Sequence, residues 1–124
     1  MKRILLVEDD AGVVPALCHA LGDHFDVDVA GNASIADALL RQHAYDAVLT
    51  EFELPDGNGI WVLDRCRKLR PRARRVLTSA RDASRFAGVR VMHRFVQKPA
   101  TAETLLRALG GMGWRFVLGS GRGG

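Results

Sequence analysis

At 124 residues, with 48% hydrophobic and 26% charged side chains, the chain has the size and balance of one globular domain with a proper core. No apolar run is long enough to span a bilayer, and the stretch behind Met1-Lys2-Arg3 stops at Glu8, too short for the core of a secretory leader, so a cytoplasmic location with no membrane partner is expected. A formal charge of +4 keeps nucleic acid in view as a partner until the position of that charge is known.

Arg3 to Val7 is a continuous apolar run, the signature of a strand buried on both faces. Asp9 or Asp10 can cap a helix from near Ala11, in which Val14, Leu17, Cys18 and Leu21 recur at helical spacing. Pro15 is tolerated near its start, and Gly22 ends it. Phe25 to Ala30 alternates strictly, which predicts an edge strand with one polar face. Ser34 or Asn32 can cap the second helix, with Ile35, Ala38, Leu39 and His43 on its apolar side. Asp46 to Thr50 is the third strand, ending at Glu51 before the turn Leu54-Pro55-Asp56-Gly57. Asn58 opens a third helix with the stripe Ile60, Trp61, Leu63, Cys66 and Leu69, and Pro71 closes it. Val76 to Ala80 is a fourth strand, Asp82 to Gly88 leaves room for two helical turns, and Val91 to Val96 is the fifth strand. Thr101 caps a last helix marked by Leu105, Leu106 and Leu109. Five alternations of strand and helix predict a parallel sheet covered on both faces, with right-handed crossovers. Residues 1–110 form this domain, and 111–124 is a Gly-rich tail or linker whose apolar island, Trp114 to Val117, is suited to packing back on the body.

The two cysteines, Cys18 and Cys66, lie far apart inside helical patterns and read as free thiols. The excess charge is concentrated between Arg65 and Arg75, where seven basic residues occur without an acid. A solvated helix end is the favoured reading there, since basic groups suit a helix C-terminus and no aromatics are interleaved. Direct nucleic-acid binding is the less favoured one, and an acidic protein partner stays open.

Chemistry concentrates where three apolar runs end. In a parallel α/β sheet those ends line one edge, where ligands bind. Glu8 and Asp9 follow the first strand, and hard carboxylate oxygens on a preformed loop suit Mg²⁺. Glu51 follows the third. Lys98 follows the fifth and is held extended by Pro99, so its ammonium can neutralise a phosphoryl oxygen or pair with a carboxylate.

Taken together, Ile4 to Asp10, Tyr45 to Gly59, Leu77-Thr78-Ser79-Ala80 and Phe95 to Pro99 resemble the response-regulator receiver domains of two-component signalling, over about residues 2 to 110. The resemblance implies a flavodoxin-like, doubly wound five-stranded parallel sheet in the order 2-1-3-4-5. It implies Mg²⁺ held by Glu8, Asp9, the acceptor side chain at position 51 and the carbonyl of Glu53. Lys98 would contact phosphoryl oxygens together with the switch hydroxyl, which Ser79 matches best and Thr78 next, and Phe95 stands for the switching aromatic. Implied partners are a histidine kinase or an output domain, and a homodimer is admitted.

Two departures qualify this. The acceptor position holds Glu51 where the family has aspartate, and neither Asp46 nor Asp56 can replace it. The extra C–C bond, about 1.5 Å, displaces the carboxylate from in-line geometry and pushes it toward Lys98 or Ser79. Mg²⁺ binding is then expected to be weak or absent, and no catalytic turnover is expected. The segment between Ser79 and Lys98 is also short, so the fourth helix is trimmed; His93 within it reads as a strand-edge residue. The function expected is an atypical receiver that recruits a partner without phosphorylation. The alternative is a phospho-accepting receiver carrying a phosphomimetic change at position 51.

Overall fold

Ile4 to Val7, Ala47 to Thr50 and Val76 to Ser79 carry no charge, and all twelve of these residues are buried. Backbone so placed must pair with backbone on both sides, which makes these segments the inner strands of a parallel sheet. The computed structural model describes residues 1–110. In chain order they form β1 (Arg3–Val7), α1 (Val14–Gly22), β2 (Asp26–Ala30), α2 (Ala33–Gln42) and β3 (Ala47–Glu51). Next come the two-residue strands β4 (Glu53–Leu54) and β5 (Gly57–Asn58), then α3 (Gly59–Leu69) and β6 (Arg74–Ser79). A 3₁₀ turn (Ala83–Phe86), β7 (Arg94–Gln97) and α4 (Ala102–Leu109) complete them. The main sheet is wholly parallel, in the order β2-β1-β3-β6-β7. This is the doubly wound arrangement expected.

Because strand side chains alternate, the sheet feeds two cores. Leu5, Val7, Val48 and Leu77 pack with Ala36 and Leu40 of α2 and Val62, Leu63 and Cys66 of α3. Ile4, Leu6, Leu49 and Val76 pack on the other side with Leu21, Phe25 and the α4 leucines Leu105, Leu106 and Leu109. Each such leucine contributes roughly 1.5–3 kcal/mol by leaving water, before conformational entropy is set against it.

Several local expectations change. Helix α1 starts later than Ala11 and has no side-chain cap. The Asp10 side chain instead accepts the Gly12 N–H at 2.8 Å, and its carbonyl takes the Val13 and Val14 N–H groups, so a turn precedes the helix. Asn32, Asn58 and Thr101 do cap α2, α3 and α4. The buried side of α2 is Ala33, Ala36 and Leu40, leaving Ile35 and Ala38 exposed. On α3, Val62 is buried and Trp61 is exposed beneath Arg65, whose guanidinium lies 5.9 Å from its ring centroid. Both shifts have one cause: the helices press small residues against each other and the sheet, and periodicity alone does not choose which edge of an apolar stripe does so.

Edge strand β2 is paired only with β1, as expected, although its Val29 is exposed while Asp28 is half-buried against Arg3 and Tyr45. Strand β6 begins at Arg74 rather than Val76, and β7 runs from Arg94 to Gln97 rather than from Val91. The segment expected to hold two helical turns holds one 3₁₀ turn, and the loop after Glu51 gains the β4–β5 ladder. The Gly-rich tail, with Trp114 to Val117, lies outside the described residues.

Candidate functional site

Strands β1, β3 and β7 end at the same edge of the sheet, and each hands over one charged side chain there. Glu8 begins where its N–H reaches the Ala30 carbonyl at 3.0 Å, and Lys98 where its N–H reaches the Ser79 carbonyl at 2.8 Å. The Lys98–Pro99 peptide is cis. The Lys98 ammonium donates to Glu8 Oε1 at 2.7 Å and to Glu51 Oε1 at 2.6 Å. Glu8 is 3% exposed, so its charge is viable only with such a partner. Burial disfavours the charged lysine, but the hydrogen bonds and charges of Glu51 and Glu8 outweigh it and raise its pKa.

The remaining oxygens differ. Glu51 Oε2 accepts the backbone N–H groups of Phe52 at 2.6 Å and Glu53 at 3.2 Å. Glu8 Oε2 has only a long bond, 3.3 Å, from the Asp10 N–H. The end of β3 is itself fixed by Gly59, whose N–H donates to the Phe52 carbonyl at 2.7 Å. A Cβ at Gly59 would lie 2.4 Å from the Glu51 carbonyl oxygen and 2.8 Å from Leu77, so only glycine allows α3 to start this close.

The other expected site residues are less closely gathered. Asp9 is exposed and its side chain has no partner among the described residues. Glu53 is exposed and pairs with Arg81 at 2.6 Å. Among the described residues no three Asp, Glu, His or Cys side chains converge on one point. The two carboxylates that do meet share one ammonium, an arrangement that does not fit a divalent ion while Lys98 stays in place. Ser79 is buried and its hydroxyl accepts the Arg81 N–H at 3.0 Å. Thr78 is buried too, paired in register with Glu51, and lines a cavity shared with Glu8, Glu51 and Lys98. Phe95 is half-buried, with its ring 5.1 Å from Phe86, which lies 4.9 Å from Phe52.

The response regulator receiver domain family matches residues 4–110. The chain belongs to that family. It is 30% identical over 112 residues to the photosynthetic apparatus regulatory protein RegA of Rhodobacter capsulatus, covering 87% of this chain and 61% of that protein. With the transcriptional regulatory protein PmrA of Pectobacterium parmentieri it shares 36% identity over 84 residues, 64% of this chain and 36% of the relative. The receiver thus spans less than two thirds of either protein's length. Among solved structures, the response regulator TrrA of Thermotoga maritima, in complex with Mg²⁺ and BeF, superposes with a TM-score of 0.80 at 25% identity, over 90% of this chain and 99% of that one. No helix among the receiver's described residues is long and apolar enough to cross a membrane.

Six of the seven basic residues of the run have partners inside the receiver; the seventh, Arg72, is exposed. Arg65 pairs with Asp37, and Arg67 and Lys68 both pair with Asp64. Arg70 donates to the carbonyls of Leu40 and Arg41, Arg74 to that of Ala108, and the buried Arg75 to Val91, Pro71 and Ala73. Arg65, Arg70, Arg74 and Arg75 tie α3 and β6 to α2, α4 and the segment before β7, while Arg67 and Lys68 stay on the surface of α3 beside Asp64. His93 accepts the Arg75 N–H through Nδ1 at 2.9 Å, and burial beside Arg75 and Arg74 lowers its pKa.

Three features escaped sequence reasoning. Arg81 reaches from the β6 loop to Glu53 and lies over the Phe52 ring at 5.9 Å. Asp56 caps α2 from a distance, accepting the N–H groups of Ala33 at 2.7 Å and Ser34 at 2.9 Å, which lowers its pKa. Nothing in the local Pro-Asp-Gly turn signals a partner in another helix. The third is the cavity beside Lys98.

Proposed function

We propose that this receiver is atypical: it recruits a signalling partner, a histidine kinase or an output domain, without being phosphorylated, in the cytoplasm and without catalytic turnover. The observation that carries this reading is Glu51. It stands at the acceptor position by sequence match, and its carboxylate already holds Lys98 at 2.6 Å and two backbone N–H groups. A phosphoryl group would need that space and that lysine. The imitation of a phosphorylated site is partial, since Glu51 offers two oxygens and one charge where a phosphoryl group offers three oxygens and more charge. The Ser79 hydroxyl is turned to Arg81 and takes no part in it.

Incubation with acetyl phosphate and Mg²⁺ tests the reading by intact mass. The expected result is no phosphoryl adduct; a stoichiometric, base-labile adduct on Glu51 overturns it. A second reading has support in the retained Glu8, Lys98, Thr78 and Ser79: a phospho-accepting receiver bearing a phosphomimetic change. Glu51→Asp separates the two. If the variant takes up phosphate and, once phosphorylated, binds the partner as the Glu51 form does, the mimic is functional; if it stays inert, phosphoryl transfer has been lost elsewhere too.

A further inference from the structure

Next to the Lys98 triad lies a cavity of about 390 Å³, within the range of small-molecule sites. Its walls are apolar: Val13 and Leu17 from the α1 side, Leu6 and Leu49 from the sheet, and Leu105 from α4. Its polar end is formed by Glu8, Glu51, Lys98 and Thr78. Residues 11–13 turn before α1 begins, so Val13 joins the cavity wall from the turn and Leu17 from the helix. We propose that it is a binding site for a small amphipathic organic cation, an apolar body carrying a primary ammonium head. The inference goes beyond the phosphorylation-independent reading and stands whether or not Glu51 accepts phosphate.

Shape and charge each contribute. The wall residues belong to or border the core, and the apolar atoms they turn to the cavity gain from covering by an apolar body. At the polar end, two carboxylates share a single ammonium, so one negative charge is in excess. The most weakly engaged carboxylate oxygen there, among the described residues, is Glu8 Oε2, whose one bond is 3.3 Å long. An ammonium placed against it would complete a second charge-assisted hydrogen bond. A ligand carboxylate would meet Glu8 and Glu51 as like charges and would have to take Lys98 from them, leaving Glu8 buried and unpaired. Exposed Asp9 and Asp10 beside Glu8 favour the approach of cations further.

Methyl-detected NMR on the full chain provides the test, with 3-phenylpropylamine, 3-phenylpropanol and 3-phenylpropionate as probes. The amine should give saturable shifts centred on the methyls of Val13, Leu17, Leu49 and Leu105, with the carboxylate weaker by about tenfold or more. Glu8→Gln should erase the preference for amine over alcohol. Leu17→Trp fills the cavity from a half-buried position and should abolish binding of all three. If that variant does not fold, Ala100→Leu narrows the cavity from the opposite wall and should do the same. Shifts located elsewhere, a carboxylate that binds as well as the amine, or an unchanged preference in Glu8→Gln overturns the proposal. So does the absence of binding, as when another part of the chain already fills the cavity. Mass uptake from acetyl phosphate is a separate readout, so either proposal can fail alone.

Discussion

Lys98→Met removes the one cation that Glu8 and Glu51 share and keeps the length of the side chain. Breaking a buried ion pair from one side costs about 3–5 kcal/mol, because the surviving charge stays buried. Here Glu8 is 3% exposed but the Lys98 side chain is 26% exposed, so water screens part of the loss. The cost should fall to about 2–3 kcal/mol. With a urea m-value of about 1.5 kcal/mol/M, the unfolding midpoint then drops by between about 1 and 2 M with m unchanged. Adding Glu8→Gln to Lys98→Met removes the more deeply buried of the two stranded charges and should recover about 1–2 kcal/mol, a coupling that additive effects cannot produce. Urea melts of the wild type, both single variants and the double variant at pH 7 measure this. Strictly additive losses, or a Lys98→Met cost under about 0.5 kcal/mol, would refute the view that the three strand ends are tied together by this ammonium.

Gly59→Ala should cost about 2–3 kcal/mol and move the amide resonances of Glu51 and Phe52, since the new methyl meets the Glu51 carbonyl at 2.4 Å; a neutral substitution there would mean the start of α3 is not fixed against β3. Burial pushes the Cys66 thiol up to about 11, leaving about one thiolate in a thousand at pH 8, so a disulfide reagent should label half-buried Cys18 promptly and Cys66 only at the rate of unfolding. Equal labelling of both would contradict the packing of α3. Asp28 is held below the ordinary aspartate value: burial acts in the opposite direction, but hydrogen bonds from Tyr45 and Arg3 prevail. Its contribution is therefore present above about pH 3.9 and is lost as pH falls through its folded value. Acid unfolding of Asp28→Asn should converge with wild type at low pH; a constant gap would place the effect elsewhere.

Residue type and order are enough to dictate the architecture and the identity of the charged groups. Uncharged runs at Ile4 to Val7, Ala47 to Thr50 and Val76 to Ser79 can be satisfied only inside a sheet, and parallel strands deliver the residues after them to one edge. That is why Glu8, Glu51 and Lys98 are legible as neighbours from residue order alone, and why Asn32, Asn58 and Thr101 are legible as caps: both are short-range or topological consequences of residue type. Whatever depends on direction and on partners distant in the chain is set by three-dimensional packing. Periodicity offered Trp61 and Ile35 to the core, and packing chose Val62 and Ala36. Arg65, Arg70, Arg74 and Arg75 have the look of free charge in sequence, and only the fold supplies the carbonyls and carboxylates that bind them. Glu51 shows the division most clearly. Its extra methylene is readable as a misfit for phosphoryl transfer; that its carboxylate turns to Lys98 and two backbone N–H groups, and not to Ser79, is settled only by where β6 and β7 set those atoms.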